Sequence, residues 1–378
     1  MTIGNAVALA AERILDPIQG MHTGISDSWF RAVGPLSGPV RLATSGITAG
    51  IYASLRLSAV VVGLGLDARV PRDSPTADAA TAFVTGVWGD HLGHRKDGLG
   101  IEMGIRDVKG APVSHDATFP AAFPAATSRI VVLVHGLTKT ERCWQGANDS
   151  PGLLGALEEH DALTPVTVRY NTGLAIRDNG EKLAALLEET HRLWPVPIES
   201  MTLVGHSMGG LVIRSACGSA VRGSLRWLDD VTDVITIASP HRGAPLEKLA
   251  HLAARGLGMT DRTRPLAEFL DGRSQGIKDL RLGDIGVDPR EAAGISTRLS
   301  RIRHHVIAGV VTTDPSHPLG AVVGDLMVRP TSGTNPPDVT PVDVAVLGGV
   351  NHANLLNDRA VISHLMERIT QDLPLPAR

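Results

Sequence analysis

The sequence predicts an α/β fold in which helices flank a mainly parallel central sheet. Short β-branched runs alternate with helical patterns from Arg129 onward, which is the order that builds parallel sheets. These runs are nearly continuous in apolar residues, as expected of strands that are buried on both faces. One of the runs leads directly into a serine flanked by glycines, and a helical pattern follows it.

The predicted elements follow one another in a regular order. An alternating segment from Gly100, with a turn at residues 107–110, predicts an edge hairpin strand. Asp178, with Glu181 three residues later, resembles the start of a helix that crosses the sheet. Asp358 lies near the start of a final helix, whose apolar stripe is Val361, Ile362, Leu365, Met366 and Ile369. The six further strands are predicted at residues 129–134, 166–170, 201–205, 234–238, 305–311 and 342–347.

Two regions depart from this alternation. Residues 1–95 read as helices broken by glycine and proline, so we expect a helical N-terminal extension before a catalytic domain at residues 96–378. The insertion at residues 244–303 is helical and rich in charge, which favours a cap or lid. Ile47–Leu66 is apolar, but Arg56 near its middle would be costly in a membrane. A packed helix is the favoured interpretation, and peripheral membrane association is the alternative.

Composition narrows the classes of partner. The chain has 36 basic and 39 acidic residues without a long run of one sign, so we expect no nucleic-acid partner. The two cysteines, Cys143 and Cys217, lack a C-x-x-C pair, so buried thiols are expected, and one disulfide between them is the alternative. The start of the chain, with Glu12 and Asp16, does not resemble a secretory signal, so a cytoplasmic protein is expected.

The strongest chemical signal is the pattern Gly205-His206-Ser207-Met208-Gly209. It lies between an apolar strand and a helical run, which is the setting in which G-x-S-x-G presents a nucleophilic serine on a sharp turn. The glycines let neighbouring backbone pass without clashing with a Cβ atom. We therefore predict that Ser207 is the nucleophile of a hydrolase.

A second signal follows the strand at residues 129–134, where the chain reads His135-Gly136-Leu137. Acyl-transfer hydrolases place part of the oxyanion hole in this position. The backbone N–H of Leu137 is the predicted donor there, and the N–H of Met208, directly after the nucleophile, is the predicted second donor.

The remaining members of a Ser-acid-His set lie toward the C-terminus. His352 follows the last predicted strand and fits a general base. Three aspartates compete for the acid. Asp325 is favoured because it follows the penultimate strand, Asp314 is the alternative with comparable placement, and Asp343 opens a strand and should lie at the far end of the sheet.

Taken together, the HGL, GHSMGG, ASPHRGAP, GDLMV and NHANLL segments resemble bacterial lipases and the PGAP1-like group of α/β hydrolases. The resemblance covers about residues 129–370 and implies the α/β-hydrolase fold. It also implies Ser207 as nucleophile, His352 as base and Asp325 as acid, although Leu326 replaces the glycine of the usual D-G-x-V element. The His-Gly-x loop implies medium or long acyl substrates, either small-molecule or lipid esters.

Other signals are weaker. Gly63-x-Gly65-x-x-Ala68 is similar to a dinucleotide-binding fingerprint, which needs a helix that begins at the glycines. Because prolines follow almost immediately, no cofactor is predicted. His91 and His94 lie in a polar loop, and no metal is predicted. Near the oxyanion loop, Glu141 and Trp144 are candidates to support it, with core packing favoured for the tryptophan. The leading function is ester hydrolysis, and the alternatives are a membrane-lipid deacylase or thioesterase with the same triad, or a catalytically silent binding protein.

Overall fold

The computed structural model describes most of the chain after residue 100. The described residues are Gly4, residues 78, 79, 81–83, 85, 86 and 89, and residues 101–107, 109–146, 151–244, 274–287, 289–337, 339–352 and 354–373. The predictions for Ile47–Leu66, Gly63-x-Gly65-x-x-Ala68, His91 and His94, and most of the extension at residues 1–95, lie outside these residues.

Seven strands form one sheet in the described part of the chain. They are β1 (Gly104–Arg106), β2 (Arg129–Val134), β3 (Thr164–Arg169), β4 (Ser200–His206), β5 (Val231–Ile237), β6 (Arg303–Val310) and β7 (Asp343–Gly348). Their order is β1-β3-β2-β4-β5-β6-β7. β1 is antiparallel to β3, and every other neighbouring pair is parallel. The predicted mainly parallel sheet of the α/β-hydrolase fold is confirmed.

Helices cover both faces of this sheet. They are α1 (Gly152–Glu158), α2 (Ile176–Leu193), α3 (Met208–Gly223), α4 (Gln275–Leu282), α5 (Pro289–Leu299), α6 (Pro318–Val323), α7 (Pro330–Gly333) and α8 (Arg359–Thr370). Short 3-10 helices lie at Phe119–Ala122, Glu141–Trp144, Arg226–Asp230 and Leu355–Asn357. Among the described residues, no helix is both long enough and apolar enough to cross a membrane.

The strands are buried on both faces because alternate side chains enter two hydrophobic clusters. In β2, Ile130 and Val132 join a cluster with α2 and α3, whereas Val131 and Leu133 join a second cluster with α1 and α8. This explains the continuous apolar runs, since a strand covered on both sides needs no polar face. The buried side chains of α3 belong to the first of these clusters.

The start of one predicted helix differs in the structure. Helix α2 begins at Ile176 rather than near Asp178, and the N–H of Ile176 donates to Oδ2 of Asp279 at 2.9 Å. Its first turn is therefore capped by a carboxylate from a distant segment. That carboxylate belongs to α4, within the predicted cap insertion.

The described part of that insertion packs into the main domain. Ile277 and Leu280 of α4 and Leu299 of α5 are buried in the same cluster as α2 and α3. Residues 245–273 lie outside the described residues, so the cap or lid stays a prediction. Both cysteines are free thiols, with Cys217 buried and Cys143 partly buried.

Candidate active site

Ser207 occupies a strained turn between β4 and α3. Its backbone has φ 54° and ψ −120°, a conformation that residues other than glycine rarely adopt. Its N–H donates to the carbonyl of Ile237 at 2.8 Å, which ties the turn to β5. Strain of this kind persists only when the surrounding structure enforces it, and it concentrates at functional sites.

The glycines around Ser207 allow the close packing that enforces this turn. A Cβ atom at Gly205 would lie 2.6 Å from Cα of Gly210, and one at Gly209 would lie 2.2 Å from the carbonyl oxygen of Val134. A Cβ at Gly210, which the sequence motif did not single out, would lie 2.1 Å from Oγ of Ser239. Any side chain at these three positions would clash with neighbouring atoms, so the turn requires glycine there.

The structure brings Ser207, His352 and Asp325 into one hydrogen-bonded line. Nε2 of His352 lies 3.0 Å from Oγ of Ser207, and its Nδ1 lies 2.7 Å from Oδ2 of Asp325. A carboxylate oxygen accepts, so Nδ1 carries the proton and Nε2 is left to accept the serine hydroxyl hydrogen. This is the protonation that a general base needs.

Asp325 is held rigidly for this contact. It is 1% exposed, and its Oδ1 accepts hydrogen bonds from the N–H groups of Met327 at 2.9 Å and Val328 at 2.7 Å. Its carbonyl accepts the N–H of His352 at 2.9 Å, so backbone and side chain both connect the two loops. The acid and the base therefore hold a common orientation.

The two competing aspartates lie elsewhere. Asp314 is exposed, and its Oδ1 accepts from the N–H of Ser316 at 2.9 Å and from its hydroxyl at 2.6 Å. Asp343 opens β7 at the amino end of the sheet and pairs with Arg368 at 2.8 Å. Among the described residues, Asp325 is the carboxylate that contacts His352.

Leu326 accounts for the departure from the D-G-x-V pattern. Its φ is 80°, in the left-handed region that favours glycine. The leucine adopts the backbone conformation that a glycine would adopt there, and the loop still presents Asp325 to His352. The substitution leaves the geometry of the acid loop intact.

The predicted oxyanion donors belong to two segments that adjoin Ser207. Met208 is the first residue of α3, so its N–H has no partner within the helix. Gly136 passes close to Ser207, since a Cβ there would lie 3.0 Å from Cβ of Ser207. The N–H groups of Leu137 and Met208 donate to no group within the described ranges.

His135 holds the loop that carries Leu137. Its Nδ1 lies 3.0 Å from the carbonyl oxygen of Gly136, and its Nε2 accepts the N–H of Tyr170 at 3.3 Å. The Tyr170 hydroxyl donates to the carbonyl of His135 at 2.8 Å, and the two rings stack with centroids 4.4 Å apart. Burial lowers the pKa of His135 to about 4, so a neutral ring with its proton on Nδ1 anchors the loop.

Glu141 and Trp144 lie beyond this loop. Glu141 is buried and accepts two hydrogen bonds from Arg169, at 2.6 and 2.5 Å, which ties the segment to β3. Trp144 is 1% exposed and packs in the hydrophobic core. Within the described ranges, no group of three or more histidine, cysteine or acidic side chains is arranged to hold a metal ion.

Some contributing residues carry no recognisable local signal. Asp279 caps α2 from α4, and a Cβ at Gly276 would lie 2.9 Å from Cε of Met208, so α4 packs against the start of α3. From the sequence, Asp279 is only one residue of the insertion at residues 244–303. Its spatial neighbours show that α4 contacts both α2 and the start of α3.

Comparisons with known proteins find similar sequences for part of the chain. Residues 172–255 match the PGAP1-like alpha/beta domain. A triacylglycerol lipase from Burkholderia plantarii is 32% identical over 150 residues, which is 38% of this chain and 39% of that protein. A triacylglycerol lipase from Pseudarthrobacter phenanthrenivorans is 34% identical over 124 residues, which is 32% of this chain and 35% of that protein.

Among solved structures, a mature Bacillus licheniformis lipase, BlEst2, is similar with a TM-score of 0.46 and 21% identity, over 71% of this chain and 98% of that one. The chain spans less than two fifths of the length of the two curated relatives that it matches. The resemblance to bacterial lipases and to the PGAP1-like group, first visible in the motifs, is thus confirmed, and the PGAP1-like match includes Ser207.

Proposed function

We propose that this protein hydrolyses carboxylic esters, as an esterase or lipase, through an acyl-enzyme formed on Ser207. The observation that carries the proposal is the line from Asp325 through His352 to Ser207, with contacts of 2.7 and 3.0 Å, at a strained turn. An isolated serine has a weakly nucleophilic hydroxyl, and an oriented base within hydrogen-bond distance activates it.

In the first half of the reaction, Oγ of Ser207 attacks the ester carbonyl carbon while its proton moves to Nε2 of His352. The carbonyl oxygen becomes an oxyanion, and the N–H groups of Leu137 and Met208 donate hydrogen bonds to it. Donors fixed before the reaction stabilise this charge without reorganisation, so they lower the barrier for the chemical step.

The tetrahedral intermediate then collapses to the acyl-enzyme. The bond between the carbonyl carbon and the alcohol oxygen breaks, and His352 delivers its proton to that oxygen. Water next attacks the acyl-enzyme with His352 again accepting a proton. The carboxylic acid is released, and the Ser207 hydroxyl is restored.

Asp325 acts on His352 throughout. By accepting the Nδ1 hydrogen it selects the tautomer that leaves Nε2 free, and its negative charge stabilises the imidazolium formed during each step. Its two backbone hydrogen bonds hold the carboxylate in place. Its contribution is therefore orientation and charge rather than proton exchange.

Lipid esters are the favoured substrate class, because the two curated relatives are named triacylglycerol lipases. We infer that the chain takes esters with an acyl chain of medium or greater length. Association with a membrane surface would follow from a lipid substrate, and it stays part of this proposal. A lid carried by part of the insertion at residues 244–303 fits the same substrates.

The test is hydrolysis of p-nitrophenyl acetate, butyrate, octanoate and palmitate by the full chain and by Ser207→Ala. Ser300→Ala is the matched control, because Ser300 is exposed and, among the described residues, its hydroxyl donates to the Thr297 carbonyl alone. We expect wild type and Ser300→Ala to hydrolyse the series, with Ser207→Ala inactive and equally stable. Turnover by Ser207→Ala equal to wild type would overturn the proposal.

A further inference from the structure

His206 is a second histidine at the centre of the site, and the mechanism above leaves it without a role. It is the last residue of β4, directly before Ser207, and it is 3% exposed. Its ring lies against that of His352, with centroids 5.0 Å apart and planes inclined at 40°. A side chain this close to the general base can influence where that base points.

The surroundings of His206 differ from those of the other buried histidines nearby. His135 is bound at both ring nitrogens, and so is His241, which contacts Arg214 at 3.2 Å and Thr236 at 3.0 Å. Neither ring nitrogen of His206 has a partner at full hydrogen-bond geometry in the described part of the chain, and the backbone carbonyl of His352 is the acceptor that acts on the ring. The ring is therefore held mainly by packing, against the loop that carries His352.

That packing places His206 between the base and the oxyanion loop. A Cβ at Gly136 would lie 3.1 Å from Nδ1 of His206, so the loop covers one side of the ring while His352 lies on another. The titratable groups that act on it are His352, Lys139 and His135. Burial, together with His352, holds the pKa of His206 well below its usual range, so the ring stays uncharged while His352 cycles.

We propose that His206 is a positioning residue for the general base, which acts through the face of its ring. The inference rests on the proposed function. The ring limits rotation of the His352 imidazole and keeps Nε2 directed at Ser207. An uncharged aromatic ring also tolerates, and can attract, the positive charge that His352 acquires when it accepts the serine proton.

The proposal predicts that an aromatic ring is needed at position 206, whereas ring nitrogens are not. His206→Phe keeps a ring of similar shape, and we expect it to retain the wild-type kcat. His206→Leu fills the space without an aromatic face, and His206→Ala leaves a gap. Because a small misplacement of a catalytic group is costly, we expect kcat to fall about 10- to 100-fold in both, with KM unchanged.

The experiment measures kcat and KM for p-nitrophenyl butyrate across the three variants, with thermal unfolding to establish that each folds. The rate of Ser207 labelling by a fluorophosphonate is measured in parallel, because it reports activation of the serine without an ester substrate. Labelling should follow the same order, with His206→Phe close to wild type and His206→Leu slow.

Equal rates for His206→Leu and His206→Phe would show that only filled volume matters, and the proposal would be overturned. A loss in His206→Phe as large as that in His206→Ala would also overturn it. If wild type neither hydrolyses esters nor labels at Ser207, the proposed function fails instead. The two failures are therefore distinguishable.

Discussion

The two ends of the sheet each hold a buried aspartate paired with a histidine, and the two pairs differ in their surroundings. At the carboxyl end, Asp325 lies 2.7 Å from His352, which reaches Ser207. At the amino end, Asp233 lies 2.8 Å from Nε2 of His305. The residue types and distances are nearly the same, so these alone do not make a catalytic pair.

The difference lies in what else the aspartate and the histidine touch. Asp233 also accepts two hydrogen bonds from Arg303, at 2.8 and 2.7 Å, while Nδ1 of His305 lies 3.9 Å from Asp343. Although burial alone would raise the pKa of Asp233, the hydrogen bonds from His305 and Arg303 lower it to about 2. The pair at the amino end is part of an ion-pair cluster between β5, β6 and β7.

His352, in contrast, has one nitrogen directed at a serine in a strained turn. His305 is 3% exposed, whereas the side chain of His352 is 12% exposed. Under the proposed function, catalysis needs a serine within reach of the base and a base that a substrate can approach, in addition to the acid. We therefore expect substitutions in the Asp325–His352 pair to change activity, and substitutions in the Asp233–His305 pair to change stability.

The largest effect is expected at the carboxyl end. Asp325→Asn should lower kcat about 10⁴-fold, because the amide no longer selects the His352 tautomer that leaves Nε2 free. Asp314→Asn is the control and should keep wild-type activity. The measurement is kcat for p-nitrophenyl butyrate, and a larger loss in Asp314→Asn would transfer the acid role to Asp314.

At the amino end, the same substitution should act on stability. Asp233→Asn removes the charge that pairs with Arg303 and should cost about 2–4 kcal/mol, somewhat below a fully buried pair because Arg303 is partly exposed. Activity of the folded protein should persist. Denaturant unfolding measures the loss.

The control for this variant is Asp229→Asn. Asp229 pairs with Arg298 and Arg301 on the surface, so its loss should cost no more than about 1 kcal/mol. If Asp233→Asn abolished ester hydrolysis at full stability, the Asp233–His305 pair would have a role in catalysis. That result would contradict a purely structural role for this pair.

Acid pH should destabilise the fold through the buried histidines. Burial lowers the pKa of His135 to about 4 and those of His206 and His241 well below 6.5. Below pH 6.5 the unfolded chain therefore binds more protons, so stability falls as the pH falls toward 4 and is fully present above 6.5. Each histidine contributes up to about 1.4 kcal/mol per pH unit.

The measurement is the free energy of unfolding of wild type and His206→Phe from pH 4.5 to 8. The variant lacks one of these titrating groups, so its stability should decline less steeply in acid. Parallel curves for the two proteins would show that His206 titrates alike in the folded and unfolded states.

The smallest effect concerns the loop of the acid. Leu326→Gly should stabilise the protein by about 0.5–1 kcal/mol, because glycine relieves the cost of φ 80° but adds freedom to the unfolded chain. Leu319→Gly in α6 is the matched control and should destabilise by about 1 kcal/mol. Thermal or denaturant unfolding checks both, and a loss in both variants would contradict the strain at Leu326.

Much of the fold could be predicted because local patterns encode it. The strand at residues 129–134 was predicted with the bounds that the structure gives it, since a run of β-branched residues bounded by polar ones has few alternatives. The start of the final helix at Asp358 could also be predicted, because the residue that caps it is local. The Asp358 side chain accepts hydrogen bonds from the N–H groups of Ala360 and Val361.

Features that depend on distant contacts could not be predicted. The start of α2 was misplaced because Asp279, about a hundred positions away, caps it, and no local pattern reports such a partner. For the same reason, three aspartates competed for one role, since the choice depends on where the loop after β6 returns toward His352. The left-handed backbone at Leu326 could not be predicted either, because leucine normally avoids this conformation.

The central claim is that Ser207 is a nucleophile activated by His352 and Asp325. The most direct measurement is mass spectrometry of the full chain after treatment with a fluorophosphonate. We expect an adduct on the peptide that contains Ser207 in wild type, and none in Ser207→Ala or His352→Ala. An unmodified Ser207 in folded wild type, or equal labelling in His352→Ala, would contradict it.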